Sequence, residues 1–142
     1  MNDNQQLKNV GLKITSPRLK ILQILHKSTQ HHLSAEQVYK IMRDKGEEIG
    51  LATIYRVLMQ FEATGLVQRH NFEGGAAVYE LYYNTHHDHL VCSSCGLVDE
   101  FIDACIEERQ QAISKQQRFT MTSHTLVIYG ICFSCSKKHT PE

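Results

Sequence analysis

The spacing of apolar positions along the first half of the chain predicts a series of amphipathic helices. A short one runs from Asp3 to Val10 and is stopped at Gly11. Thr15-Ser16-Pro17 then supplies a helix cap followed by proline in the first turn. Apolar residues at helical spacing follow from Leu19 to Leu25, so we expect a second helix there.

Two further helices are predicted before residue 66. Ser34 and Gln37 are spaced as a capping box, and the helix that they open ends near Gly46. The fourth helix runs from about Leu51 to Thr64, with apolar residues at intervals of three and four along one face. Its opposite side carries Thr53, Arg56 and Gln60, with Tyr55 beside them.

A β-hairpin is predicted directly after the fourth helix. The runs Leu66–Phe72 and Ala76–Tyr83 flank Glu73-Gly74-Gly75, which is a turn signal. Helices followed by a two-stranded hairpin are typical of a winged helix-turn-helix domain. In that fold the last helix before the hairpin enters the major groove of DNA.

The pattern changes at about Asn84, and the rest of the chain predicts a small α/β unit. A strand over Leu97–Phe101, a helix from Ile102 to Gln117 and a β-branched strand over Thr125–Ile131 follow in order. We therefore expect an α+β protein of two domains, residues 1–83 and residues 84–142.

Composition narrows the class of protein. The 142 residues are 42% hydrophobic, which suffices for a core, and no apolar run is long enough to span a membrane. The N-terminus lacks a signal-peptide pattern, so we expect a cytoplasmic protein without membrane association. Net charge is zero, but residues 1–83 carry ten basic and eight acidic residues (+2), and residues 84–142 carry five and seven (−2). The asymmetry is mild.

Two cysteine pairs indicate a structural metal site. Cys92 and Cys95 form one C-x-x-C motif, and Cys132 and Cys135 form another. Disulfides are rare in a reducing compartment, and two such turns that converge give the four-sulfur tetrahedron that Zn²⁺ accepts. A pair of redox dithiols is the alternative. We expect the fifth cysteine, Cys105, to be a buried core thiol rather than a ligand.

The segment from His86 to His89 predicts metal binding of a second kind. If it is extended, its side chains alternate between two faces. His87 and His89 then point one way, and His86 and Asp88 the other, so one strand can serve two sites. Imidazole and carboxylate donors suit Fe²⁺, Mn²⁺, Co²⁺ or Zn²⁺. Donors available elsewhere in the chain are His31, His32, Glu80, Glu100, Glu107 and His124. A solvated polar loop is the alternative.

The case for DNA binding is weaker from pattern alone. The fourth helix could equally be a plain amphipathic helix with a solvated Arg56. Lys13 lies in a stretch, residues 5–20, that holds four basic residues and no acidic one. Such a stretch could reach phosphates or a minor groove, or it could be an ordinary solvated surface.

Several segments together resemble the ferric uptake regulator family of bacterial metal-dependent repressors. The resemblance extends from Gly11 through Cys135, and none of the segments would suffice alone. They are Pro17–Leu22, His31–Glu36, Gly46–Leu58, Arg69–Gly75, His86–Cys92 and Cys95-Gly96.

The resemblance implies a homodimer, with a higher oligomer left open, that binds a palindromic double-stranded DNA operator of the iron-box type. Each chain would join a winged-helix domain to a dimerisation domain through a hinge near residues 83–85. The family's DNA contacts correspond to Lys13, Tyr55 and Arg56. The resemblance places structural Zn²⁺ on the four cysteines. It assigns Fe²⁺ sensing to His32, Glu80, His87, His89 and Glu100, and an additional site to His86, Asp88, Glu107 and His124.

The predicted function is repression of iron-uptake genes when metal ties the two domains together. Zinc, manganese, nickel and peroxide sensors share this architecture, and Mn²⁺, Co²⁺ or Zn²⁺ can replace Fe²⁺ in such donor sets. Peroxide sensors of the family tend to use Asp where this chain has Glu80 and Glu100, and zinc sensors tend to include a Cys, which favours iron. A zinc-dependent hydrolase using the His/Asp cluster and a metal-buffering module are remote alternatives. We expect neither an enzyme nor a small-molecule substrate.

Overall fold

The structure, a computed structural model, describes residues 2–82 and 86–139, with side chains through residue 137. The hinge expected near residues 83–85 lies outside this range. The chain divides into two compact units, residues 1–83 and residues 84–142. Among the described residues, no helix has the length and apolar character needed to cross a membrane.

The first unit contains the four predicted helices within one or two residues of their expected ends. They are α1 (Asp3–Asn9), α2 (Ser16–Lys27), α3 (Ala35–Asp44) and α4 (Leu51–Ala63). Local signals set these boundaries. The Thr15 side chain accepts a hydrogen bond from Arg18 N, and Ser34 and Gln37 form both bonds of a capping box. Gly65, just beyond α4, has a φ of 81°, a conformation that glycine adopts without strain.

A three-stranded antiparallel sheet completes the first unit. Its order is β1 (Leu33–Ser34), β3 (Val78–Leu81) and β2 (Val67–His70), so β3 is central. The strands β2 and β3 are the predicted hairpin, and Gly74 in its turn has a φ of 78°. The two-residue strand β1 was not predicted. It pairs Leu33 with Tyr79, and this pairing attaches the segment before α3 to the hairpin.

The core of the first unit forms where the helices pack on this sheet. Its fully buried side chains come from every helix of the unit, and they include Leu7, Ile21, Leu22, Val38, Ile54, Leu58 and Phe61. This burial on one side of α4 leaves the opposite side of the helix at the surface.

The second unit is a mixed sheet with two helices. Strand β4 (Asp88–Cys92) is central, pairs antiparallel with β5 (Val98–Phe101) and pairs parallel with β6 (Val127–Gly130). Helix α5 (Ala104–Gln116) connects β5 to β6, and a short helix α6 (Phe133–His139) follows β6. The predicted α+β class, with a winged-helix unit before a small α/β unit, is confirmed.

Two expectations about α5 were wrong. The helix begins at Ala104 with Asp103 as its cap, so Ile102 precedes it and is exposed. The thiol of Cys105 is exposed rather than buried in a core. None of the residues of α5, all of which the structure describes, is buried within this chain. A single chain therefore provides no core against which this helix face could pack.

Candidate metal centres and DNA-binding surface

The four cysteines converge at one end of the second sheet. Cys92 is the last residue of β4, and its parallel partner Gly130 ends β6, so the two C-x-x-C turns leave the sheet side by side. All four sulfurs lie within 4.8 Å of one another, and the Sγ atoms of Cys95 and Cys132 are 3.7 Å apart. Tetrahedral coordination with Zn–S bonds of about 2.3 Å requires sulfurs about 3.8 Å apart. The quartet therefore fits a structural zinc site.

The environment of the quartet favours a thiolate at one position. Backbone N–H groups of Cys132 and Cys95 donate to Cys92 Sγ at 3.3 and 3.5 Å and lower the pKa of that thiol to about 6. For Cys135, the Ser94 hydroxyl lowers the pKa, but the neighbouring thiols of Cys132 and Cys95 and burial outweigh it and raise the pKa to about 11. Cys92 therefore ionises more readily than Cys135.

A second group in the same unit combines two imidazoles and two carboxylates. Asp88 is fully buried in β4, and its Oδ1 lies 3.0 Å from His86 Nε2 and 3.5 Å from His124 Nε2. Glu107, in the first turn of α5, has its Oε1 3.3 Å from His124 Nε2. All of these are residues of the predicted additional site, and the structure brings them together.

The donor atoms of this group lie within 4.8 Å of one another. Asp88 Oδ2, Glu107 Oε1 and His124 Nε2 are shielded from solvent, and none makes a hydrogen bond within the described residues. Buried polar atoms without partners are costly, and a cation among them would remove that cost. Mixed imidazole and carboxylate donors suit a divalent transition metal, so the group fits a regulatory ion.

The remaining side chains of the histidine segment face a different set of donors. Glu100 pairs with His89 across β4 and β5, and its Oε1 lies 3.4 Å from His87 Nε2. The rings of His87 and His89 have their centroids 4.9 Å apart. The structure thus separates His87 and His89 from His86 and Asp88, the division that strand alternation predicts.

The other two residues of the predicted sensing set meet in the first unit. The pairing of Leu33 with Tyr79, continued by one residue, places His32 opposite Glu80 on the central strand. His32 Nε2 lies 3.0 Å from Glu80 Oε2, and both side chains are only 1% exposed. His70, at the end of β2, approaches the other oxygen of Glu80 at 2.5 Å. The sequence prediction did not single out His70, because a lone histidine in a strand carries no local signal.

The surface side of α4 presents the predicted DNA contacts. Tyr55 and Arg56 are exposed, and Thr53 is half-buried. The Tyr55 hydroxyl donates to the Glu36 carboxylate at 2.5 Å, which raises the pKa of Tyr55 and lowers that of Glu36. This hydrogen bond connects α4 to the first turn of α3 and so restrains the ring of Tyr55.

Lys13 is exposed on the loop between α1 and α2, and Arg18 fixes that loop. The Arg18 guanidinium donates to the Lys13 carbonyl oxygen at 2.6 Å and to Gln60 Oε1 at 3.1 and 3.2 Å. Gln60 belongs to α4, so one side chain joins the Lys13 loop to the helix that carries Tyr55 and Arg56. Arg18 therefore acts as a brace between two surface elements.

A winged-helix unit, followed by a unit with a thiolate site and imidazole–carboxylate sites, defines the class of metal-dependent regulators. Residues 9–129 match the profile of the Ferric uptake regulator family. The ferric uptake regulation protein of Legionella pneumophila is 62% identical over 135 residues, which are 95% of this chain and 99% of that protein. The chain therefore belongs to the ferric uptake regulator family.

Solved structures agree in fold along nearly the whole chain. The ferric uptake regulator of Vibrio cholerae, whose structure reveals a rearrangement of its DNA-binding domains, is similar with a TM-score of 0.85 and 54% identity over 92% of this chain and 100% of that one. The ferric uptake regulator of Pseudomonas aeruginosa, solved with manganese, gives a TM-score of 0.76 and 52% identity over 94% and 99%.

Proposed function

We propose that this chain is a metal-activated transcriptional repressor that binds operator DNA as a homodimer and responds to Fe²⁺. The observation that carries the proposal is that each unit contributes its own imidazole–carboxylate donor set. His32 and Glu80 meet in the first unit, and His87, His89 and Glu100 meet in the second. The sensing site that we propose combines the two sets.

A metal ion bound by donors from both units would hold the units in one arrangement. Neither set offers five donors by itself, so full coordination favours the arrangement in which the sets meet. A ligand that binds one conformation better than another shifts the population toward it. His32 and Glu80 are held in place by the sheet of the first unit, and Glu100 is held opposite His89 by that of the second. These rigid donors make the site selective for one arrangement.

The DNA-binding role rests on the surface of α4 and the braced Lys13 loop. We assign Tyr55, Arg56 and Thr53 to base edges in the major groove and Lys13 to the minor groove. The brace from Arg18 to Gln60 and to the Lys13 carbonyl sets the distance between these two contact regions. The Vibrio cholerae relative has DNA-binding domains, which supports a DNA-binding role for this chain.

Dimerisation is supported by the exposed apolar surface of the second unit. Leu90 and Ile128 are register partners on adjacent strands, and both are more than 40% exposed. Ile113 on α5 is 51% exposed. Neighbouring exposed apolar side chains on a sheet mark a protein–protein interface. A symmetric dimer would place two recognition helices on the two halves of a palindromic operator.

The regulatory ion and its targets complete the proposal. The chain's donors suit Fe²⁺, and Mn²⁺, Co²⁺ or Zn²⁺ can take its place in the same ligands. Peroxide sensors of the family tend to use Asp at the positions of Glu80 and Glu100, so the two Glu residues favour iron sensing. We place the protein in the bacterial cytoplasm, where it would occlude promoters of iron-uptake genes through iron-box operators.

Operator binding with and without metal tests the proposal. Zinc-loaded protein should retard an iron-box duplex in a gel-shift assay when Mn²⁺ or anaerobic Fe²⁺ is present, and much less after chelation. Arg56→Ala should weaken this binding by about 1–3 kcal/mol, the usual cost of losing a base contact. Arg109→Ala removes the same charge from α5 and is the matched control.

Two results would contradict the proposal. One is metal-independent binding of equal strength, and the other is equal losses in the Arg56 and Arg109 variants. A scrambled duplex of the same composition and length is included in each titration, because phosphate contacts give a DNA-binding protein some affinity for DNA of any sequence.

A further inference from the structure

The carboxylate of Glu80 has two imidazole neighbours in the first unit, and the proposed sensing set uses only one of them. His32 Nε2 is 3.0 Å from Oε2 of Glu80, and His70 Nε2 is 2.5 Å from Oε1. The ligand atoms of all three residues lie within 4.8 Å of one another. Two histidines and one carboxylate are a donor set that Fe²⁺ accepts with coordination positions left open.

We propose that His32, His70 and Glu80 form a three-donor site for a divalent transition metal, complete within the first unit. This first-unit site deepens the proposed function and rests on it, because the site would take up the ion before donors of the second unit join. His70 is then a metal ligand in its own right during loading.

Backbone pairing holds the three donors together. Glu80 lies on the central strand β3, with Gln68 of β2 opposite it on one side. On the other side, the register of β1 places His32. His70 follows Gln68 by two residues on β2, so its side chain emerges on the same face of the sheet as that of Gln68. The arrangement depends only on hydrogen bonds inside the first unit.

Charge and exposure agree with cation binding at this place. Glu80 is 1% exposed, and a buried carboxylate requires compensation. Arg69, which precedes His70 on β2, pairs with Glu62 at 3.0 Å rather than with Glu80. The His70 side chain is 20% exposed against 1% for His32, so the site opens to solvent on the His70 side. Octahedral coordination with bonds near 2.1 Å separates adjacent donor atoms by about 3.0 Å. His70 Nε2 would therefore have to move about 0.5 Å away from Glu80 Oε1 to share a metal ion with it.

A role as a hydrogen-bonding partner is the competing explanation for His70. Carboxylate ligands are commonly oriented by a hydrogen bond to their second oxygen. In that case His70 would align Glu80 without touching the ion. Glutamine separates the two roles, because it can donate a hydrogen bond to Glu80 but supplies no imidazole.

The test uses the full-length, zinc-loaded chain with the other mixed sites removed. His87→Ala, His89→Ala and Glu100→Ala delete the donors of the second unit, and Glu107→Ala and His124→Ala delete the additional site. Co²⁺ affinity is measured by competition with a chromophoric chelator, and X-ray absorption counts the imidazoles bound to cobalt. We expect one Co²⁺ per chain, bound by two imidazoles.

Replacing His70 distinguishes a role as a metal ligand from a role as a hydrogen-bonding partner of Glu80. In this background His70→Ala and His70→Gln should each weaken Co²⁺ binding at least tenfold and remove one imidazole from the spectrum. His26→Ala, another histidine of the first unit, should change neither. Absence of Co²⁺ binding in the background, or rescue of affinity by His70→Gln, would overturn the inference.

A background with fewer substitutions is less prone to unfold. Zinc content and circular dichroism measure whether each variant is folded. His89→Ala with His124→Ala weakens the same two sites with two changes only, and the effect of His70→Ala on Co²⁺ affinity should persist there. No effect would overturn the inference. The gel-shift assay on the unaltered chain reports separately on the proposed function, since it can fail while the first-unit site still binds cobalt.

Discussion

The cysteine quartet takes all of its donors from the second unit, whereas the proposed sensing set draws on both units. The four sulfurs are fixed by two turns at the end of one sheet, and the 3.7 Å between the Sγ atoms of Cys95 and Cys132 suits zinc. The imidazoles and carboxylates of the sensing set are fixed by two separate sheets. The quartet can form in any arrangement of the units. The proposed sensing site would require the arrangement in which its two donor sets meet.

The difference shows how one small protein can hold a permanent ion and sense an exchangeable one. Four thiolates form a closed cage that stabilises the local fold. Mixed nitrogen and oxygen donors bind less tightly, with exchange among several divalent metals. Placing the exchangeable donors on two units makes their occupancy depend on conformation, which is the requirement for a regulator.

Removing one sulfur should have the largest effect. Cys92→Ser deletes the ligand whose pKa is lowered to about 6 and the residue that ends β4. Structural zinc contributes on the order of 10 kcal/mol to small zinc-dependent folds, so we expect loss of zinc, a large loss of stability in the second unit and loss of the dimer. Zinc analysis and sedimentation measure these outcomes. Cys105→Ser, which alters an exposed thiol outside the quartet, is the control. A stable zinc-free dimer of the Cys92 variant would refute the structural role.

Removing one oxygen donor should have a smaller effect that leaves the fold intact. Glu107→Ala takes a carboxylate from the additional site, and we expect Co²⁺ affinity there to fall by at least the roughly 10- to 100-fold that loss of an outer-shell partner costs. Zinc content and thermal stability should stay close to those of the unaltered protein. The neighbouring control, Glu108→Ala, should also keep both of these properties. If Glu107→Ala released zinc or unfolded the chain, the distinction between structural and exchangeable sites would be lost.

The smallest effect is a difference in proton release. Cys92, with a pKa of about 6, is already a thiolate at pH 7.5, whereas Cys135, with a pKa of about 11, must lose its proton to bind zinc. Zinc binding to the metal-free quartet should therefore release about one proton fewer at pH 7.5 than at pH 5, where Cys92 is protonated, and zinc affinity should fall as pH falls. Calorimetry in buffers of different ionisation enthalpy counts these protons. Equal release at the two pH values would show that Cys92 is not ionised at pH 7.5.

Local signals predicted the helices of the first unit and the quartet. The Thr15 cap, the Ser34 capping box and Gly65 each act within a few residues, so the boundaries that they set are visible in sequence. The two C-x-x-C motifs are equally local. By contrast, β1 exists only because Leu33 pairs with Tyr79, which is 46 positions away in the chain, and two residues carry no strand pattern.

Other features depend on contacts that a single sequence does not reveal. His70 joins Glu80 through the register of β2 on β3, and nothing within its own segment distinguishes it from a surface histidine. The burial expected for Cys105 was wrong because helical spacing shows which residues share a face but not what covers that face. The separation of His87 from His86 was predictable because it follows from the two-residue period of an extended chain.

Metal-dependent operator binding by the His89→Ala/Glu100→Ala variant tests the central claim most directly. In the unaltered protein, Mn²⁺ should raise operator affinity by about 5- to 150-fold, the range of typical coupling energies. In the variant this increase should vanish while zinc content and the dimer remain unchanged, and His26→Ala should behave as the unaltered protein. A variant that keeps both its zinc and the full metal-dependent increase in operator affinity would contradict the proposal that donors from both units form the sensing site.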